Sequence, residues 1–247
     1  MYDPIKDGVD KQVRAAVRYT VDRPPDHVSA WVHGYWELKT LHPLDTDFHL
    51  HAMSDACVNI LFNQHDALIA GITSLRTTHE VLNLGKQFHY VGIQLLPGVW
   101  RGDPTDIAYQ FVGTPYTGSL PLVHTSQAMV GMDFSAKQPH FSALVQKLVQ
   151  AGLIVDNPVT ATILAQLDSI RSVADMAAVV NLSPRQLQRV LRATTGLSPH
   201  DLLKVLRIQQ SFKQHYLDLY ADQSHYIHSF RRVTGHTPGS FAERFDV

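Results

Sequence analysis

A single cysteine, Cys57, occurs in the 247-residue chain, so no intrachain disulfide can form. A lone thiol of this kind reads as a small buried apolar residue, and a reducing compartment is its natural home. Long hydrophobic runs are also lacking: none approaches the roughly 20 apolar residues of a membrane-spanning helix. Asp3, Lys6, Asp7 and Asp10 interrupt any apolar stretch of the kind a secretory leader needs. The expectation is a cytoplasmic protein with no membrane partner. The sequence has no solenoid repeat and no low-complexity segment, and its 45% hydrophobic content is that of an ordinary globular core. His124, Ser126 and Asp133 supply the residue types of a triad, but no nucleophile-elbow motif surrounds any serine. The chain therefore reads as a non-enzyme with no cofactor.

Charge in excess of either sign is scarce overall, with a formal net of −1, but it is unevenly placed. Residues 1–170 hold 11 Lys and Arg against 16 Asp and Glu, whereas residues 171–247 hold 10 against 6 and five histidines besides. An acidic body with a basic tail fits a nucleic-acid contact at the C-terminal end.

The first ~125 residues read as strands and turns. Val58–Phe62 and Phe88–Leu96 are β-rich, and Asn63–Asp66, Asn83–Gly85, Pro97–Gly98 and Gly102–Pro104 punctuate them. His27–Leu38, with Trp31, Tyr35 and Trp36, suits either a short helix or an aromatic strand. From Gln138 the apolar spacing becomes helical through Phe141, Leu144, Val145, Leu148 and Val149, with Gly152 as the stop. Asn157-Pro158 opens another helix, with Ile163, Leu164 and Leu167 on its apolar face. A domain junction falls near residue 170.

Beyond it, Ser172 caps a helix that buries Val173, Met176, Ala177 and Val180. Asn181-Leu182 forms a turn. Ser183 caps the next helix with Pro184 at its first position, and Gly196 ends it. Leu187, Val190 and Leu191 face inward, which leaves Arg185, Gln186, Gln188, Arg189 and Arg192 outside. Arginine pairs with guanine O6 and N7, and glutamine with adenine N6 and N7. A face rich in Arg and Gln is equally the mark of a merely solvated helix. Ser198-Pro199 caps a third helix reaching about Tyr216, with Leu202, Leu203, Leu206 and Phe212 inside. Asp222 caps a fourth over Gln223–Thr234, packing Tyr226, Ile227 and Phe230 inward and leaving Gln223, Ser224, His225, His228, Arg231 and Arg232 outside. Gly235 ends it, and Thr237-Pro238 begins a short last helix.

The ordered series Ser183-Pro-Arg-Gln-Leu-Gln-Arg-Val-Leu-Arg192, Gly196-Leu-Ser-Pro199, Arg207, Asp222-Gln-Ser-His-Tyr-Ile-His-Ser-Phe-Arg-Arg232 and Gly235-His-Thr-Pro238 resembles the AraC/XylS family of bacterial transcription regulators over about residues 170–245. The resemblance implies two helix-turn-helix units joined by a central helix, each placing a recognition helix in successive major-groove segments of double-stranded DNA. By position, Arg185, Gln188 and Arg189 match base-contacting sites of the first recognition helix, and Ser224, His225 and His228 those of the second. The site expected from the residues and the resemblance together is Arg185, Gln186, Gln188, Arg189, Arg192, Gln223, Ser224, His225, His228 and Arg231. One departure stands out. The family places a markedly longer segment between the positions of Arg207 and Tyr220, where this chain has twelve residues. The second unit is thus expected to be shortened.

Phe48–Phe62 and Val91–Gly98 resemble the cupin-like sensor domains that precede such DNA-binding regions. This implies a β-barrel-like fold that holds a small-molecule effector or makes a homodimer contact. His51, Asp55, Asn59, Arg76 and Trp36 are the candidate effector residues. His49 and His51 share one face of a strand, an HxH pair of the kind that begins the metal motif of enzymatic cupins, with Asp55 as a further ligand candidate. However, Pro97-Gly98-Val99-Trp100 lacks the histidine of the second motif, so no metal is expected. The expected fold is α+β: a β-rich cupin-like sensor over 1–135, connecting helices over 136–170, and an all-α helix-turn-helix domain over 171–247. The expected function is sequence-specific transcription regulation, modulated by an effector or by dimerisation, with a contact to RNA polymerase as a further expectation. The alternatives are a metal-dependent cupin enzyme, or a ligand- or protein-binding module whose DNA-binding domain is impaired.

Overall fold

The computed structural model describes residues 16–73, 77–103, 113–211 and 223–244; for His225, Ala242 and Arg244 it describes the backbone alone. An antiparallel β-rich region comes first and a helical region follows. Among the described residues seven strands run β1 Val17–Asp22, β2 Val32–Thr40, β3 Phe48–Ala52, β4 Asn59–Asn63, β5 Ala70–Ile72, β6 Glu80–Gly85 and β7 His89–Leu95. Five of them form one antiparallel sheet in the order β1-β2-β7-β4-β5, and β3 and β6 pair separately as a two-stranded ribbon. The aromatic segment that suited helix or strand divides: Asp26–Val28 is a single 3-10 turn, residues 29–31 form a turn that holds Trp31, and Tyr35 and Trp36 lie on β2.

The central strands are buried on both faces, which explains why their sequences are apolar runs rather than clean alternations. On one face Tyr35, Ile60, Phe62, Val91 and Ile93 pack against Phe141, Leu144, Val145 and Leu148. The Tyr35 hydroxyl and Ser142 Oγ share a hydrogen bond of 2.9 Å across this contact. On the other face Tyr19, Trp36, Leu38, Leu61 and Tyr90 look toward Leu50, Leu82 and Leu84 of the ribbon. Gly92 makes that arrangement feasible. A Cβ there would lie 2.4 Å from the Trp36 indole, so only glycine lets the ring lie across β7.

Among the described residues eight α-helices follow: α1 Leu122–Ala128, α2 Phe134–Gln150, α3 Pro158–Ala165, α4 Val173–Val179, α5 Pro184–Thr195, α6 Pro199–Ser211, α7 Gln223–Thr234 and α8 Pro238–Arg244. Among the described residues no helix is long and apolar enough to cross a membrane. Helix α2 belongs to the core under the sheet. Helix α3, which Asn157 caps by accepting from the Thr160 amide, contributes Ile163 to the helical core. The Pro97–Gly98 turn joins the two parts. Asn157 Nδ2 donates to the Gly98 carbonyl at 2.9 Å, and Thr160 Oγ1 donates to the Pro97 carbonyl at 2.6 Å. Along α1, the exposed His124 and the fully buried Ser126 lie two residues apart and so on different faces, which separates two members of the triad considered from sequence.

Buried Glu37 sits beside Lys39 at 2.7 Å and His89 at 2.8 Å. Burial alone would raise its carboxyl; the hydrogen bonds and charges of His89 and Lys39 outweigh burial and hold it at about 2, against an ordinary 4.5. Its stabilising contribution, roughly 3 kcal/mol, is therefore fully present above pH 4.5 and is lost as pH falls toward 2. The melting-temperature gap between the wild type and Glu37→Gln should be widest above that range and close on acidification. A gap independent of pH would contradict the pairing.

Candidate nucleic-acid interface and the adjoining cavity

The first helical unit is built by local chemistry. Ser172 accepts from the Asp175 amide and starts α4. Asn181, at φ +53°, makes the reversal, a conformation that asparagine tolerates better than most residues. Ser183 and Gln186 then form a reciprocal capping box at the start of α5, and Gly196 closes it in the left-handed region at φ +71°. Leu187 and Leu191 are buried in the helical core, while Arg185, Gln188, Arg189 and Arg192 are exposed on the opposite side. Gln186 is exposed but committed: its Oε1 accepts from the Ser183 amide at 2.9 Å and from Ser183 Oγ at 2.8 Å. The Ser-x-x-Gln spacing carried that information in the sequence. Four side chains are left to reach outward, three of them cationic.

Helix α6 connects the two units. Ser198 Oγ accepts from the Asp201 amide at its start. Arg207 donates to the Arg171 carbonyl ahead of α4, so this motif arginine ties α6 to the first unit. In the second unit Tyr226, Phe230 and Val233 of α7 pack with Ile208 and Phe241. Ile227 was expected inside but is 36% exposed, because the buried stripe of α7 runs through 226, 230 and 233. Gln223, Ser224, His228 and Arg231 are exposed on α7, together with Arg232. The His225 side chain, like the expected interior position Phe212 and the expected helix end at Tyr216, lies outside the described residues, as does the twelve-residue stretch for most of its length.

Between the five-stranded sheet and the ribbon lies a cavity of about 150 Å³. Trp36, Asp55 and Asn59 line it, as three of the five expected effector residues. His51 is not among its lining residues. Alternation along β3 points Leu50 and Ala52 inward and turns His49 and His51 to the outer face, where the His51 ring meets that of His236 at 4.9 Å. The HxH pair thus faces away from Asp55, and among the described residues no group of three or more His, Cys, Asp or Glu could hold a metal ion. Arg76 lies outside the described residues. Gln94, Tyr19, Tyr90 and Glu80 also line the cavity. Reading β7 as two alternating sets, Val91, Ile93 and Leu95 against Tyr90, Gly92 and Gln94, would have identified Gln94 and Tyr90.

Asp55 is held on several sides. It accepts from the Cys57 amide at 2.9 Å, from Gln94 Nε2 at 2.6 Å and from Asn59 Nδ2 at 3.3 Å. Burial raises its carboxyl above the usual range against these bonds. Burial likewise pushes the Cys57 thiol well up, and the nearby Asp55 charge adds to this, so Cys57 is the inert interior residue its sequence suggested. The turn centred on Ala56, at φ +58°, places this segment between the two halves of the molecule. Ala56 is fully buried in the core of the first helical unit, and Met53 in that of the second. Gln209 Nε2 of α6 donates to the Ser54 carbonyl at 2.9 Å. Close by, a Cβ on Gly235 would lie 2.8 Å from the His79 ring, so the end of α7 also abuts the β-region.

A protein-family profile described as a domain of unknown function (DUF6597) matches residues 21–102. Among solved structures, ToxT from Vibrio cholerae is similar at 10% identity, covering 94% of this chain and 100% of that one, with a TM-score of 0.43. ToxT from Vibrio cholerae O395 is similar at 12% identity, covering 92% and 97%, with a TM-score of 0.41. No curated protein matches the chain.

Gln209→Ala removes the donor to the buried Ser54 carbonyl and should cost about 1–3 kcal/mol. The loss should appear as a lower denaturation midpoint and faster proteolysis between the β-region and α6. Unchanged stability would show that the contact does not hold the halves together.

Proposed function

We propose that this chain is a sequence-specific DNA-binding transcription regulator, with residues 171–247 engaging the duplex and residues 1–135 acting as the sensor, joined through 136–170. The observation that carries this reading is α5: a doubly capped helix, sealed by Leu187 and Leu191, that offers Arg185, Gln188, Arg189 and Arg192 to solvent in a helix-turn-helix setting. The basic bias of residues 171–247 supports it, as does the resemblance of their motifs to AraC/XylS regulators. Arg185, Gln188 and Arg189 read bases, and Arg192, one turn on, meets phosphate. Gln223, Ser224, His225, His228 and Arg231 form the second, weaker contact. The twelve residues between Arg207 and Tyr220 leave little chain for a full supporting helix before α7, so the first unit carries most of the affinity.

An effector in the cavity acts by population shift. It stabilises one position of the Met53–Val58 segment, and that position sets how the two helical units are presented to DNA. Homodimerisation through the β-region and a contact with RNA polymerase belong to the same reading.

Gel-shift titrations test it. Arg189→Ala should weaken operator binding about tenfold or more, as a lost base contact of ~1–3 kcal/mol implies, and His228→Ala should weaken it clearly less. Equal losses would show an intact second unit. Undiminished binding by a triple Arg185, Gln188 and Arg189 alanine variant would remove the proposal. Affinity for random duplex should also fall steeply as salt rises, since phosphate contacts release counterions.

A further inference from the structure

The cavity between sheet and ribbon is about half open to solvent, and its polar and apolar lining residues differ in what they offer a ligand. The polar ones are committed to the protein. Trp36 Nε1 donates to Asn59 Oδ1 at 3.2 Å, and Asn59 Nδ2 donates to Asp55 Oδ2 at 3.3 Å. Gln94 Nε2 donates to the same Asp55 oxygen at 2.6 Å. Thr73 Oγ1 accepts from the Asn59 amide at 3.0 Å, and the Tyr90 hydroxyl accepts from Asn63 Nδ2 at 3.4 Å. Ser54 and Glu80 are engaged as well. Among the described lining residues there is no lysine, arginine or histidine. The apolar ones have contact surface alone to give: Leu38 and Leu61 on the sheet side, Leu50, Leu82 and Leu84 on the ribbon side. Trp36 adds a flat shelf. A Cβ on Gly92 would collide with Cζ2 and Cε2 of its indole, so one face of the ring is seated on the β7 backbone while the residue lines the cavity. The Tyr19 ring extends the shelf, with its centroid 6.4 Å from that of Trp36 and a tilt of 30°.

These features select against charge. An ion of either sign would lose hydration on entering and meet side chains already bonded to one another. The protein's own groups feel the same penalty: burial raises the Asp55 carboxyl even though three donors hold it. A polyol would bring hydroxyls whose natural partners here are taken. A flat uncharged ring loses only unfavourable apolar hydration and gains stacking on an aromatic face. A volume of about 150 Å³ has room for one such ring, and the open side leaves space for a second. We propose that this cavity binds an uncharged aromatic molecule of one or two rings, stacked on Trp36 and edged by the leucines of the ribbon, with no ion pair to the protein. The inference rests on the sensor half of the proposed function and gives its ligand a chemical class. Its test contains no DNA, so a failure here leaves the reading of α5 standing, and the gel-shift result leaves this one standing.

The full chain is titrated calorimetrically, with melting temperature followed in parallel, against indole and toluene, against methylcyclohexane, and against benzoate and benzylamine. Indole and toluene should bind at least tenfold more tightly than benzoate and benzylamine and raise the melting temperature. Methylcyclohexane, apolar but not flat, should bind severalfold more weakly than toluene, and Trp36→Leu should erase that difference. Leu82→Trp, which fills the cavity, should abolish binding of indole and toluene with the circular dichroism spectrum unchanged. If either variant fails to fold, the ranking of the five probes on the wild type decides alone. Benzoate or benzylamine binding as tightly as toluene, methylcyclohexane matching toluene on the wild type, no uncharged probe binding at millimolar concentration, or toluene binding that survives Leu82→Trp would each overturn the proposal.

Discussion

Asp55 accepts from the Cys57 amide, Asn59 and Gln94, and these bonds hold Ala56 in a left-handed conformation that costs an L-residue about 1–2 kcal/mol. The turn so formed is shared by everything around it. The Asp55 carboxyl lines the chamber, and the side chains that donate to it, Asn59 and Gln94, lie on β4 and β7. The Ala56 methyl sits in the core of the first helical unit, and the neighbouring Met53 sits in that of the second. If the hydrogen bonds to Asp55 are lost, no other group among those named holds the turn in its unfavourable shape, and the two helical cores lose their common point of attachment to the sheet.

That arrangement gives the β-region two jobs at once. The face of its sheet toward α2 is a dense apolar layer, fixed by Phe141, Leu144, Val145 and Leu148. The face toward the ribbon is looser, because Gly92 allows the Trp36 ring to lie flat and leaves a chamber instead of a filled core. A well-packed interior resists change, whereas a chamber beside a strained turn is where a small molecule has leverage. Met53, Ser54 and Ala56 join this side of the β-region directly to the helical units, which is the route that the proposed effector response would use.

How much of this was legible depended on whether the cause was local. The ends of α5 were readable because Ser183, Pro184 and Gly196 act within one turn of the helix. So was α2, whose apolar residues keep helical spacing. The exposed set on α5 followed from the same pattern, with Gln186 reassigned once its side chain is seen to close the capping box. Asp55 and Asn59 were recognisable as polar residues on a strand-rich segment, and the cavity gathers both. His51 shared that description and went elsewhere. Its strand has apolar Leu50 and Ala52 on the alternate side, and the ring contact with His236 depends on the helical region, far away in sequence. The attachment of Gln209 to Ser54 spans 155 positions and has no sequence signature at all. Ile227 illustrates the same limit: helical spacing allowed it inside, but the partners of α7 bury only one stripe.

Hydrogen–deuterium exchange on full-length protein addresses the shared turn most directly, by comparing wild type with a Leu82→Trp variant whose chamber is filled from the ribbon side. If the Met53–Val58 segment couples the chamber to both helical units, exchange should change in peptides covering 53–58, in α6 around Ile208 and Gln209, and in α7 around Phe230. A change confined to the strands lining the chamber, with α6 and α7 untouched, would contradict that coupling.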